Sequence, residues 1–197
     1  MNIATREITG VILAGGRGSR LGGVDKGLVP LHGRPLIEYA IDALRPQVAS
    51  LLISANRNRD VYASYGYPVI ADVMGDYDGP LAGMLSAMRA AGTAYILTMP
   101  CDAPSIPADL ARRLAEALAG ENAVASTVSL QGRLQPVFAL LRCTLAGDLE
   151  NCLKQGERGA GEWLRRHQAV PVDFSDAAEA FVNINTPEEL QDRQRQR

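Results

Sequence analysis

The stretch Gly10-Val-Ile-Leu-Ala-Gly-Gly-Arg-Gly-Ser-Arg-Leu-Gly-Gly-Val-Asp-Lys-Gly-Leu28 decides how the rest of the chain reads. A buried-strand run, Val11, Ile12 and Leu13, feeds directly into a loop with glycine at 15, 16, 18, 22 and 23, five of the nineteen in the chain. Glycine lets backbone N–H groups turn toward an anion and removes the Cβ that blocks close approach. Arg17, Arg20 and Lys26 add the positive charge that a polyphosphate needs. The order of strand, glycines and cations predicts a loop that holds a nucleoside triphosphate.

Two commoner glycine-rich motifs fail here. A Walker A loop needs Gly-Lys-Ser/Thr, and the chain contains no Gly-Lys pair. A dinucleotide fingerprint needs a third glycine where Leu21 stands. The remaining pattern, Leu-Ala-Gly-Gly-x-Gly-x-Arg ending in a lysine, resembles the opening signature of nucleotidyltransferases that join a nucleoside triphosphate to a phosphate. The competing reading is a glycine-rich surface turn with incidental charges. Lys26 weighs against it: Lys26 and Lys154 are the only lysines in a chain that otherwise uses arginine. A compact ammonium on a flexible stem can follow a phosphate as its geometry changes during transfer.

At 197 residues the chain is expected to be one domain over 1–197, with frayed ends at 1–7 and 191–197. With 47% hydrophobic and 21% charged residues it reads as an ordinary globular protein. A net charge of −2 gives no electrostatic case for nucleic acid as a partner. No apolar run reaches membrane-spanning length, and Met1-Asn-Ile-Ala-Thr-Arg lacks the apolar core of a signal peptide. Cys101, Cys143 and Cys152 are an odd set without CxxC spacing, so neither a disulfide scaffold nor a zinc site is suggested. The cytoplasm is the expected compartment.

Short apolar runs alternate with helical patterns along most of the chain. Strands are expected over 8–13, 51–54, 69–70 and 95–99, and helices over 35–44, 81–91 and 107–119, two of these helices opening with proline. This alternation predicts a single-domain, three-layer α/β fold of Rossmann-like form, with a mostly parallel sheet covered on both faces. The runs 124–129 and 135–141, joined by Leu130-Gln-Gly-Arg133, read as a hairpin that adds an antiparallel piece. Thr186-Pro187-Glu188-Glu189 carries the cap, the N1 proline and the N3 acid of a helix start.

Ligands of open α/β sheets sit beyond the carboxyl ends of the strands. The polar residues that follow each run therefore become the candidates: the glycine loop after Leu13, then Ser54 and Asn56, Asp72, Asp102, and Asn183 with Asn185 after Val182. Asp102 ends an apolar run where a carboxylate has no solvation reason to be, and transfer between polyanions calls for Mg2+ held by a carboxylate. It is the expected metal ligand, and its alternative is a helix N-cap. Asn185 is the expected second ligand; the rival is a turn residue before the helix cap. Asp72 suits the donor edge of guanine or the ribose, against a plain turn-starting role. Arg158 suits the phosphate of the second substrate, against a surface arginine. His32 and His167, without carboxylate context in sequence, read as structural, and Cys101 as a small buried hydrophobe.

Taken together the chain resembles the molybdenum cofactor guanylyltransferases, from about Thr9 to Leu190. The segments that carry the likeness are the opening stretch, Gly79-Pro-Leu-Ala-Gly-Met84, Pro100-Cys-Asp102-Ala-Pro and Phe181-Val-Asn-Ile-Asn-Thr-Pro-Glu-Glu-Leu190. Gly-Gly-Val-Asp-Lys is the sharpest, since many related nucleotidyltransferases have proline before the lysine. The resemblance implies transfer of GMP from GTP to the phosphate of molybdopterin, with or without molybdenum bound, Mg2+ as cofactor, and release of pyrophosphate. It implies that Leu13, Ala14, Gly15 and Gly16 with Lys26 contact GTP, that Asp72 binds the nucleotide, and that Asp102 binds nucleotide and Mg2+. Arg20, Lys26 and Asp102 are then the catalytic set, Asp102 and Asn185 the metal set, and Arg158 with Asn183 the pterin set. A family contact that is often Asn falls on Ser54, with Asn56 as a substitute. Proteins that deliver the pterin and receive the product are further expected partners. The rivals are a cytidylyltransferase acting on the same cofactor or on another small phosphate, a sugar-1-phosphate nucleotidyltransferase, and a non-catalytic GTP-binding regulator.

Overall fold

The computed structural model describes residues 3–16, 23–73 and 79–195. In chain order these form β1 (Ile8–Leu13), β2 (Pro30–Leu31), β3 (Arg34–Pro35), α1 (Leu36–Leu44), β4 (Ser50–Ser54), α2 (Arg59–Ala63), β5 (Val69–Ile70) and α3 (Pro80–Ala90). There follow β6 (Tyr95–Pro100), α4 (Leu110–Gly120), β7 (Ala125–Leu130), β8 (Arg133–Arg142), α5 (Ala146–Lys154), α6 (Ala160–Arg166), β9 (Val170–Asp173) and α7 (Pro187–Arg195).

One seven-stranded sheet runs in the order β5-β4-β1-β6-β8-β7-β9. All its pairings are parallel except those of β8, which runs against β6 and β7. Alternation along the strands sends side chains to two cores. Ile8, Ile12, Leu51, Ile53, Leu97, Met99 and Leu140 meet Ile37, Ala40 and Leu44 of α1 and Leu110 and Leu114 of α4. Val11, Ile96, Ala139 and Leu141 meet Leu81, Met84 and Leu85 of α3, Leu149 of α5 and Trp163 of α6. The expected three-layer α/β architecture is what forms, since strands apolar on both sides need helices on both faces. The 130–133 turn is the expected hairpin: Gln131 and Gly132 both have positive φ (49° and 77°), the geometry that matches strand twist.

The register explains where a site arises. Leu13 stands opposite Ser54 on one side and Pro100 on the other, and Ser54 stands opposite Ile70. Four strands therefore end in one row, and the residues that follow them emerge side by side. Backbone bonds carry the alignment one residue further, from Ala14 N to the Ser54 carbonyl (2.8 Å) and from Cys101 N to the Leu13 carbonyl (3.1 Å).

Several boundaries differ from the sequence reading. Pro35 pairs with Pro30 in a two-residue hairpin and precedes α1, while Pro107 sits in a turn closed by Leu110 N, so α4 begins at Leu110. The helix-opening prolines are Pro80 and Pro187. β9 went unread because Val170 and Val172 alternate with Pro171 and Asp173 over only four residues, the look of an edge strand. No strand precedes Asn183: Val182 is exposed, and the segment is a loop whose Ile184 N donates to the Asp102 carbonyl (2.9 Å). The tail is helical from Pro187 to Arg195, where fraying from 191 was expected. Thr186 and Glu189 cap it reciprocally, the Glu189 N–H donating to Thr186 Oγ1 (3.2 Å) and Thr186 N–H to Glu189 Oε2 (3.1 Å). The other end is held as well, by a 3-10 turn over Thr5–Glu7 whose Glu7 carboxylate accepts from Ala4 N–H.

Candidate active site

Beyond the carboxyl end of β6, Asp102 is 6% exposed. Its Oδ2 accepts from the Lys26 ammonium at 2.8 Å, and the same Nζ donates to Asn185 Oδ1 at 2.5 Å. Three residues drawn from chain positions 26, 102 and 185 thus meet at one ammonium group. Asp102 caps no helix, since α4 begins after Asp109. Asn185 accepts from Lys26 with its side chain, and its backbone N–H donates to Glu189 at the start of α7, the turn position that was the rival reading for it.

Asp102 Oδ1 is buried and has no hydrogen-bond partner. Buried polar atoms are nearly always paired, because an unmade bond costs about 1–3 kcal/mol. Among the described residues only Asp102 Oδ1, Asn183 Oδ1 and Arg142 Nε are left over, and the first two flank the backbone bond between Ile184 and Asp102. A spare carboxylate oxygen at a strand end suits a hard divalent cation, and Mg2+ asks for only one or two carboxylates because it keeps several waters. The donor set fits that ion. No cluster of three or more His, Cys, Asp and Glu placed to hold a metal occurs among the described residues.

A second group forms beside it, beyond β4 and β5. Asn56 uses both ends of its amide on Asp72, donating from Nδ2 to Oδ2 (2.7 Å) and accepting the Asp72 backbone N–H at Oδ1 (2.9 Å). Asn56 therefore orients Asp72. Ser54 is buried, with its hydroxyl against α3. Gly83 makes that fit possible: a Cβ there would lie 2.8 Å from Ser54 Oγ, 2.9 Å from Leu13 Cδ2 and 3.6 Å from Asp72 Oδ1. Gly15 lies over the same pair, its absent Cβ 3.5 Å from Asn56 Nδ2 and 3.9 Å from Asp72 Oδ2. Leu13, Gly15, Ser54, Asn56 and Asp72 are one neighbourhood.

Arg20 lies outside the described residues, as do Arg17 and the loop between Gly16 and Gly23. Arg158 donates from Nη1 to the carbonyls of Leu153 and Glu157, closing the end of α5, and its own carbonyl comes within 3.9 Å of where a Cβ on Gly79 would stand. Cys101 is buried as expected, and burial pushes its thiol well up, so it is no nucleophile at neutral pH. His32 has φ 50° and, with Gly33, turns the β2–β3 hairpin. His167 is structural, yet it does have a carboxylate neighbour, Asp148 at 2.7 Å, which nineteen residues of separation hid from the sequence.

Sequence reasoning passed over the supports of Lys26. Asp25, 7% exposed, accepts from Tyr62 Oη (2.5 Å) and Asn58 Nδ2 (3.0 Å), and Arg57 reaches the backbone on either side of the loop. The only local signal was the position of Asp25 next to the motif lysine.

Known proteins resemble this chain along nearly its whole length. The MobA-like NTP transferase domain matches residues 10–170. A protein of Ralstonia nicotianae named molybdenum cofactor guanylyltransferase is 51% identical, over 95% of this chain and 96% of its own. One of the same name from Shewanella loihica is 47% identical, over 94% of each. The crystal structure of molybdopterin-guanine dinucleotide biosynthesis protein A from Archaeoglobus fulgidus shares the fold, with a TM-score of 0.80 at 24% identity over 95% of this chain and 97% of that one.

Proposed function

The chain belongs to the MobA-like NTP transferase domain family, and from that premise we propose that it is a molybdenum cofactor guanylyltransferase, moving GMP from GTP to the terminal phosphate of molybdopterin. The observation that carries the assignment to this site is the unpartnered buried oxygen Asp102 Oδ1 at the strand end where Lys26 meets Asp102 and Asn185. Relatives of the chain with that name, 47–51% identical, supply the substrate class. They do not favour the cytidylyl alternative.

In this reading the backbone of Leu13, Ala14, Gly15 and Gly16 lies along the nucleotide, and the Asp72 carboxylate, oriented by Asn56, accepts from the donor edge of guanine. Lys26, at 20% side-chain exposure, is placed to exchange its carboxylate for the triphosphate. An oxygen of the acceptor phosphate bonds to the α-phosphorus as the bridging P–O bond to the β-phosphate breaks, and pyrophosphate leaves with that electron pair. Lys26 offsets the charge that grows on the transferring group. Asp102 and Asn185 would hold Mg2+, which would supply charge neutralisation between the two polyanions. Arg20 joins Lys26 at the phosphates, and Arg158 with Asn183 takes the pterin substrate. We place the reaction in the cytoplasm, in a single domain, with protein partners that hand over the pterin and take the product.

Pyrophosphate release, measured with Mg2+, molybdopterin and each nucleoside triphosphate in turn, tests the assignment. GTP is expected to support release and CTP to be poor, because polar groups arranged for one base edge are left unpaired by another. Equal or faster release with CTP makes the protein a cytidylyltransferase. GTP binding without release under any condition makes it a regulator.

A further inference from the structure

Arg57 follows Asn56 at the end of β4 and is half-buried. Its Nη2 donates to the Gly16 carbonyl and its Nη1 to the Gly23 carbonyl, both at 3.1 Å. Those carbonyls are seven residues apart in the chain and lie on either side of the glycine loop. One planar guanidinium thus joins the backbone that leaves β1 to the backbone that leads to Lys26. A guanidinium presents its donors in a rigid fork, so two acceptors are fixed relative to each other as well as to the arginine.

A second tether runs beside the first. Asn58 and Tyr62 both donate to the Asp25 carboxylate, and Gly27 packs so closely on Tyr62 that a Cβ there would lie 2.5 Å from its hydroxyl. Burial keeps the Tyr62 phenol protonated, and hence a donor, at neutral pH. The single segment from Ser54 to Tyr62 therefore touches Asp72 through Asn56, both flanks of the loop through Arg57, and the residue before Lys26 through Asn58 and Tyr62.

We propose that Arg57 is a positioning residue for the triphosphate: by bridging the Gly16 and Gly23 carbonyls it sets the backbone of Gly15 and Gly16 and the ammonium of Lys26 at one separation. This rests on the nucleotide reading of the site given above. Arg57 acts through the backbone, not on substrate. Its removal misplaces the phosphate contacts while the Asn56–Asp72 pair keeps its own hydrogen bonds.

Binding of GTP and of GMP, each with Mg2+, to the wild type, Arg57→Ala and Arg57→Lys is the test, with thermal unfolding of each protein alongside. GTP affinity is expected to fall at least about tenfold in both variants, since small misplacements of phosphate-binding groups are costly. GMP affinity is expected to fall less than about threefold, because one phosphate offers the misplaced backbone and ammonium fewer oxygens to lose than three do. Lysine keeps the charge but lacks the rigid planar fork that fixes the two carbonyls relative to each other, so it is expected to behave as alanine does. GTP binding within twofold of wild type in Arg57→Ala overturns the proposal. So does wild-type binding in Arg57→Lys, which would make the charge alone responsible, and so does an equal loss for GMP and GTP. If Arg57→Ala fails to fold, Arg57→Lys alone carries the comparison. A wild type that fails to bind GTP defeats the nucleotide reading itself, whereas a wild type that binds while the variants match it defeats only the role of Arg57.

Discussion

Two clusters in this molecule contain the residue types from which active sites are made, and they differ in what they leave unpaired. On α5 and α6, Asp148 Oδ2 accepts from Trp163 Nε1 (2.9 Å), faces His167 Nε2 (2.7 Å) and takes the Cys152 thiol (3.6 Å). Cysteine, histidine and aspartate together suggest a thiol nucleophile, yet the histidine faces the acid and not the sulfur. Burial and the neighbouring Asp148 charge push the Cys152 thiol up, and Arg166 donates to its sulfur at 3.0 Å. Hydrogen bonds from Trp163 and then His167 hold the Asp148 carboxyl below its usual range. Every partner there is engaged in joining two helices. At the end of β6, by contrast, Asp102 shares a lysine with Asn185 and keeps one buried oxygen over. A carboxylate with spare capacity in a buried place marks chemistry better than the company it keeps.

The largest difference between the regions is expected from Asp102→Asn. Asn keeps the size and one acceptor oxygen, so the strand end survives, but the charge that draws Mg2+ is gone. Turnover is expected to fall by about a thousandfold with unfolding temperature little changed. Raising Mg2+ should recover part of it, and wild-type turnover at low Mg2+ would move the metal site elsewhere. Lys26→Ala comes next, at about 2–4 kcal/mol of transition-state stabilisation, or roughly thirty- to a thousandfold in rate. Normal turnover would show that its ion pair with Asp102 is structural.

The smallest effect on activity, and the opposite pattern, belongs to Asp148→Ala. The Trp163 side chain is buried but Asp148 is half exposed, so the indole N–H loses an acceptor that water replaces in part, at a cost of about 1 kcal/mol in stability. Turnover is expected to stay within about twofold, as nothing near Asp102 changes. The effect also has a pH signature. A carboxylate whose folded pKa is depressed stabilises the fold above its unfolded pKa, near 4, and loses that contribution as pH falls through the folded value. The unfolding-temperature gap between wild type and Asp148→Ala should therefore be full at neutral pH and shrink below about pH 4. A gap that widens toward acid would contradict the assignment.

The two regions were also unequally legible. β1, β4, β5 and β6 show in sequence because each is a short apolar run, and the rule that ligands gather at strand ends then picks out Asp72 and Asp102 without any contact being known. Asn185 was reached by the same rule from a run ending at Val182, although that run forms no strand. The Asp148 cluster was invisible, since helical residues 148, 152, 163 and 167 meet only through the packing of α5 on α6. Arg57 was missed for the same reason. A side chain that binds backbone carbonyls 34 and 41 residues away leaves no spacing to read. The β2–β3 hairpin needs positive φ at His32 as well as Gly33, which histidine does not announce.

The chain offers one spectrum that reads both regions at once, because its two lysines divide between them: Lys26 at Asp102, and Lys154 on α5, paired with Glu150 at 3.1 Å. In protein labelled at the lysine side-chain carbons, Mg2+ and GTP are titrated while both lysine signals are followed by NMR, the pair being assigned with Lys154→Arg. The Lys26 signal is expected to move to a new, saturating position as the ammonium passes from carboxylate to phosphate, with CTP much less effective and Lys154 still. A Lys26 signal that stays in place at saturating GTP, or moves equally with CTP, would contradict the placing of guanine-nucleotide chemistry at this strand end.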